Sequence, residues 1–261
     1  MSDPTGPAAD KSATGDAESH PGGSGGAFFG RRKSKKLRGG QSDLFGTLLP
    51  RLLLPEELPA SLSALFAHPV RAVGLEIGFG GGEHLLAAAR QSPDMGFIGC
   101  EPFINGMAKM LASIQREGLT NIRLWCDDAA PLLQRLPAGQ LERVDLFYPD
   151  PWPKRRQRKR RFVSPRTLDD IARSLRPGGA FRFASDIDDY VGWTLARLAD
   201  RDDLVWQPHG AADWQVPFEG WVRTRYEAKA YAAGRLPSYI RAIRVADSGR
   251  NPSVQPDPSP A

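Results

Sequence analysis

The chain is poor in cysteine: of 261 residues only Cys100 and Cys126 carry thiols. Two cysteines support neither a disulfide framework nor a cysteine-based zinc site. Each closes an apolar run, where a thiol packs as a small hydrophobe. Long apolar runs are missing too, and none approaches the roughly 18 residues of a membrane span. The opening MSDPTGPAAD has no hydrophobic core of a secretory signal. Membrane, secreted and metal-stapled classes are thereby disfavoured, and the expectation is a cytoplasmic protein with no resident metal.

Acids are absent from two short segments. Arg31–Arg38 (RRKSKKLR) holds six basic residues and Lys154–Arg161 (KRRQRKRR) holds seven, whereas the whole chain carries only +5. Without both segments the balance is −8. An ordinary solvated face would intersperse acids. Two local anion-binding patches on an acidic chain point to nucleic acid.

Apolar residues are nearly absent before Phe28. Residues 1–43 are therefore expected to form a disordered basic tail, 44–245 a folded domain, and 246–261 a second disordered tail. Inside the domain, apolar runs alternate with helical patterns. Strands are expected over Arg71–Gly78, Met95–Glu101, Asn121–Asp128, Arg143–Asp150 and Ala180–Asp186. Helices are expected over Gly81–Gln91, Phe103–Gly118 and Ser164–Gly179, the last with Ser164 as N-cap. This order predicts an α/β fold, a doubly wound, mostly parallel sheet with helices on both faces. Ligands bind such sheets at the carboxyl ends of the strands. Glu76, Glu101, Asp128, Asp150 and Asp186 all fall at or just beyond those ends, although any one alone would be read as a cap or turn former.

The loop LEIGFGGGEH (Leu75–His84) offers Gly78, Gly80, Gly81 and Gly82 between a strand and a helix. The dinucleotide pattern G-x-G-x-x-G would need glycine where Glu83 stands. A carboxylate there repels a pyrophosphate at the helix N-terminus. The loop suits a nucleoside without phosphates, such as S-adenosylmethionine, with Glu101 for the ribose hydroxyls and Asp128 near the adenine. A plain tight turn is the competing reading of the glycines.

The ordered motifs LEIGFGGG, FIGCEPF, CDDA, LFYPDPWPKRRQRKRR, FASDIDDY and TRYEAKA together resemble the bacterial tRNA (guanine-N7-)-methyltransferase family. The resemblance spans roughly residues 40–245 and implies a class I, Rossmann-like methyltransferase acting on guanine-46 of tRNA. It places cofactor contacts on Glu76, Glu101, Asp128 and Asp150, and the catalytic aspartate on Asp150. It places substrate contacts on Lys154, Asp186, Thr224, Arg225, Tyr226 and Glu227. RNA contacts fall on Arg156, Gln157, Arg158, Lys159, Arg160 and Arg161. Pro153 and Arg155 depart from the family pattern. No obligatory protein partner is implied, and monomer and homodimer both stay open.

Guanine N7 offers a free lone pair and no proton. Asp150 is therefore expected to orient the base and stabilise positive charge rather than to abstract a proton. Trp152 either stacks on an extruded base or packs on its neighbouring prolines. Two other functions remain: an amino-group methyltransferase on RNA or DNA, to whose Asp-Pro-Pro-aromatic turn DPWP is similar in shape, and a non-catalytic RNA-binding module.

Overall fold

A computed structural model describes residue 37 and residues 39–246. Most of the two expected tails lies outside the described residues. Seven strands form one sheet in the order β3-β2-β1-β4-β5-β7-β6. They are β1 (Ala72–Ile77), β2 (Met95–Cys100), β3 (Ile122–Trp125), β4 (Leu141–Phe147), β5 (Leu175–Ser185), β6 (Leu204–Val205) and β7 (Ser238–Arg244). Strands β1 to β5 run parallel, and β7 is antiparallel to both its neighbours.

Alternation along the strands sends side chains to two layers. Val73, Leu75, Ile77, Val144, Leu146, Phe181 and Phe183 pack with Leu132 and Leu133 of α5 (Ala129–Arg135) and with Leu168 and Ile171 of α6 (Pro165–Ser174). On the other face Phe97 joins Leu85 and Leu86 of α3 (Glu83–Gln91), and Met107, Met110 and Leu111 of α4 (Ile104–Glu117). The expected doubly wound architecture is therefore present. The chain reverses its direction of winding between β1 and β4, so the crevice of this fold opens beyond their carboxyl ends.

Several boundaries differ from expectation. The expected tail runs to residue 43, but α1 (Gly39–Thr47) is helical, buries Leu44 and packs on α4. A short α2 (Leu49–Leu52) and a 3₁₀ turn at Leu62–Leu65 follow. The helix expected through Gly179 ends at Ser174, because Leu175 already pairs with Leu141 and Pro177 disfavours helix for the residue before it. β4 stops at Phe147, three residues short, where Tyr148 turns left-handed (φ 50°) ahead of Pro149. β6 and β7 were not foreseen. The remaining helices are α7 (Asp188–Ala199), α8 (Ala212–Gln215) and α9 (Arg225–Ala232). Among the described residues no helix is long and apolar enough to cross a membrane.

Candidate active site

The glycine loop leaves β1 with Gly78, Gly80 and Gly82 at φ 72°, 57° and 82°, values that only glycine adopts freely. Glu101, the first residue after β2, secures the loop. Its Oε2 accepts from the Gly80 N–H (2.7 Å) and its Oε1 from the Phe103 N–H (2.9 Å). Burial pushes the Glu101 carboxyl up; those two N–H groups oppose the shift, and nearby Asp150 adds to it. Helix α9 lies directly over the loop. A β-carbon on Gly81 would sit 1.2 Å from Arg225 Nη2, and one on Gly80 would sit 3.1 Å from the Tyr226 ring. Arg225 pairs with Glu83 at 2.8 Å. The Glu83 charge is thus neutralised by Arg225, a partner that the sequence reading did not foresee.

Beyond β4 the chain makes the turn Tyr148-Pro149-Asp150-Pro151-Trp152. Tyr148 and Trp152 both have positive φ (50° and 43°). Bulky residues are rare there, at about 1–3 kcal/mol each, and such strain gathers at functional sites. Asp150 is exposed between them, and desolvation by its surroundings raises its carboxyl above the ordinary value. Trp152 is half-buried, with the Arg160 guanidinium 5.0 Å from its ring centroid. One face therefore carries a cation, where the sequence offered a stacked base or packed prolines.

The basic run forms a 3₁₀ segment, Arg155–Arg160. Lys154, Arg155, Arg156 and Lys159 are exposed; Gln157, Arg158 and Arg160 are half-buried, and Arg158 pairs with Asp189 of α7 (2.7 Å). Arg161, expected among the RNA contacts, differs from its neighbours in this run. Its side chain is wholly buried. Its Nε donates to the Pro151 carbonyl (2.8 Å), its Nη1 donates to the Asp189 carbonyl (3.2 Å), and its Nη2 pairs with the Asp189 carboxylate. The rings of Tyr190 and Trp193 lie 4.8 and 5.0 Å from it. Arg161 ties the Asp150 turn to α7.

Glu76 and Asp128 are engaged by the protein. Glu76 is buried, with Oε2 2.7 Å from His84 Nδ1. Asp128 caps α5 by accepting from the Ala130 N–H (3.1 Å). Beneath the crevice, Glu76, His84 and Asp145 bring donor atoms within 4.8 Å of one another. Asp145 is already held by Arg182 through two bonds (2.6 and 2.7 Å) and by Arg143 (3.1 Å), so a cation there would meet two guanidiniums. Burial alone would raise the Asp145 carboxyl; Arg182 and Arg143 outweigh it and bring the pKa down to about 2.

Comparison with known proteins names the fold and the family. A family model described as "Putative methyltransferase" matches residues 70–237. A tRNA (guanine-N(7)-)-methyltransferase of Chelativorans sp. (strain BNC1) is 54% identical over 231 residues, covering 88% of this chain and all of that protein. One of Rhizobium meliloti (strain 1021), bearing the same name, is 54% identical over 84% of this chain and 95% of its own length. The chain belongs to the tRNA (guanine-N7-)-methyltransferase family. The solved structure of the 16S rRNA methyltransferase KamB shares the fold, with a TM-score of 0.50 at 17% identity over 74% of this chain and 99% of that one.

The motif residues of this tRNA (guanine-N7-)-methyltransferase family member divide by what they touch. Tyr226 is 44% exposed, and its phenol is raised by burial, with Arg225 opposing and Glu101 and Asp150 adding. Lys154 is exposed. Asp186 Oδ2 accepts from Arg235 Nε (2.7 Å). Thr224 caps α9 by accepting from the Glu227 N–H (3.2 Å). Glu227 is 1% exposed and accepts from Trp221 Nε1 and the Tyr239 hydroxyl, both at 2.7 Å. Buried in this way, Glu227 braces the Thr224–Tyr226 segment from beneath.

Proposed function

We propose that this chain transfers the methyl group of S-adenosylmethionine to N7 of guanine-46 in the tRNA variable loop, in the cytoplasm. Methylation of guanine N7 in tRNA follows from family membership, and the motif resemblance supports position 46 as the target. The residues suit the cofactor. A β-carbon on Gly78 would meet nothing within 4 Å, which leaves room above the loop. Each Glu101 oxygen carries one N–H bond and keeps acceptor capacity for ribose hydroxyls. Arg225, the cation on the loop, is engaged by Glu83, which favours a ligand without phosphates. Gly78, Gly80, Glu101 and Asp128 would line the nucleoside, with Glu76 beneath them.

When bound, S-adenosylmethionine supplies an electrophilic methyl on a sulfonium. The N7 lone pair would receive that methyl, and because N7 carries no proton, no residue of the chain has to remove one as the base becomes cationic. Placing the N7 lone pair in line accounts for several kcal/mol of barrier. Asp150 accepts from the N1–H and N2–H edge and stabilises the growing charge. Lys154, Arg156 and Lys159 neutralise phosphates.

The observation that carries this reading is the strained turn that presents Asp150 beside Glu101 at the switch point, next to an exposed basic segment. Asp150→Asn is expected to slow single-turnover methylation by about 10²-fold. The wild-type rate should fall on acidification through a pKa above that of an ordinary aspartate, and the Asn variant should lose this dependence. A near-normal variant rate with unchanged cofactor affinity would remove Asp150 from this role.

A further inference from the structure

Beyond the carboxyl end of β5 lies a second cleft of about 720 Å³, lined by Asp186, Trp214, Tyr231, Arg235, Leu236 and Ser238. We propose that it seats an unpaired base adjacent to the target guanine, so that the enzyme holds two nucleotides of the loop. This inference rests on the reading of the chain as a tRNA methyltransferase.

Position comes first. Asp186 follows β5, the neighbour of the strand that delivers Asp150. Helix α9 begins over the glycine loop at Arg225 and reaches this cleft at Tyr231. Six residues of helix span about 9 Å. The cleft thus lies one side-step from the methyl-transfer position, within reach of the next nucleotide of an extended strand. The first turn of α7 serves both features, since Asp188 lines the cleft and the adjoining Asp189 pairs with Arg158 of the basic segment.

The chemistry matches an unpaired base. Such bases are read by aromatic planes and by polar groups on their edges. Trp214 is half-buried and Tyr231 is 39% exposed, so both present ring surface. The Arg223 guanidinium, 5.0 Å from the Tyr231 ring centroid, sets a cation beside that surface, where a phosphate would run. Asp186 spends Oδ2 on Arg235 and retains acceptor capacity for a base amino or imino group. Leu236 is 76% exposed at the rim, an apolar surface that a stacked base would cover. A free mononucleotide would use the same groups, but the turn of α7 shared with Arg158 favours a base carried on the tRNA chain.

The test is a double-mutant cycle on the full chain. Substrates are intact tRNA and tRNAs made abasic at the nucleotide on either side of the methylated guanine; the readout is kcat/KM for 7-methylguanosine formation. Loss of a stacked base or of its platform is expected to cost about tenfold. One abasic position should therefore slow the wild type about tenfold, yet slow Trp214→Ala and Tyr231→Ala less than twofold further. Leu236→Asp, on the surface and safe for folding, should show the same loss of sensitivity. Losses that simply multiply, for all three variants and at both positions, would overturn the subsite. Wild-type methylation of intact tRNA separates the two readings: its absence sinks the activity, and its presence with multiplying losses sinks only the subsite.

Discussion

Replacing Arg161 by Gln tests whether the last residue of the basic run serves the fold or the RNA. The guanidinium donates to two carbonyls, those of Pro151 and Asp189, and pairs with the Asp189 carboxylate. It also lies against the rings of Tyr190 and Trp193. Glutamine can satisfy at most one of these acceptors without strain. Leaving a buried acceptor unpaired costs about 1–3 kcal/mol, and losing a buried cation–π contact costs about 1–2 more. Asp189 is 45% exposed and can rehydrate, so it adds little. The expected loss is about 2–5 kcal/mol in urea unfolding at neutral pH, with an unchanged m-value. The turn is left-handed at both Tyr148 and Trp152, so release of Arg161 lets it relax and moves Asp150. Single-turnover methylation at saturating tRNA should fall, while the salt slope of tRNA binding stays as in the wild type. If stability and rate were unchanged and the slope dropped by about 0.7–0.9, one phosphate contact, Arg161 would be an RNA ligand and this reasoning would fail.

The exposed part of the run should behave in the opposite way. Changing Lys154, Arg156 and Lys159 together to Ala should lower the salt slope of tRNA binding by about 2–3 and leave urea unfolding unaltered, and an unchanged slope would remove the segment from the RNA interface. Asp145 should dominate part of the acid stability. With its pKa brought from 3.8 to about 2, it contributes on the order of 2–3 kcal/mol that is present above pH 3.8 and lost as pH falls through about 2. Asp145→Asn strands the buried Arg182 and should cost about 3–5 kcal/mol at pH 7. The gap between variant and wild type, followed by urea unfolding, should narrow below pH 4; a gap independent of pH would refute the ion-pair account.

Much of the architecture was legible because βα alternation and glycine stops are local signals. Gly118 indeed ends α4 with φ 65°. The acids at strand ends were legible for the same reason, since each follows an apolar run. What escaped the reading depends on pairing across the sheet. Asp145 and Arg182 stand opposite each other in the β4–β5 register; their signal was a lone charge inside each apolar run, VDLF and AFRFA, which has no meaning until the strands are neighbours. Arg225 meets Glu83 across 142 positions of chain. Arg161 looked like its basic neighbours, because charge density carries no information about which guanidinium turns inward. The strand SYIRAIR gave no signal of period two, because its apolar residues come in pairs, Tyr239-Ile240 and Ala242-Ile243, and its place is set by pairing with β5 and β6 on either side.

The most direct measurement is nucleoside analysis of tRNA incubated with the full chain and methyl-labelled S-adenosylmethionine. The account predicts label in 7-methylguanosine alone, abolished when guanine-46 is replaced. Label in a methylated exocyclic amine, or none at all, would contradict it.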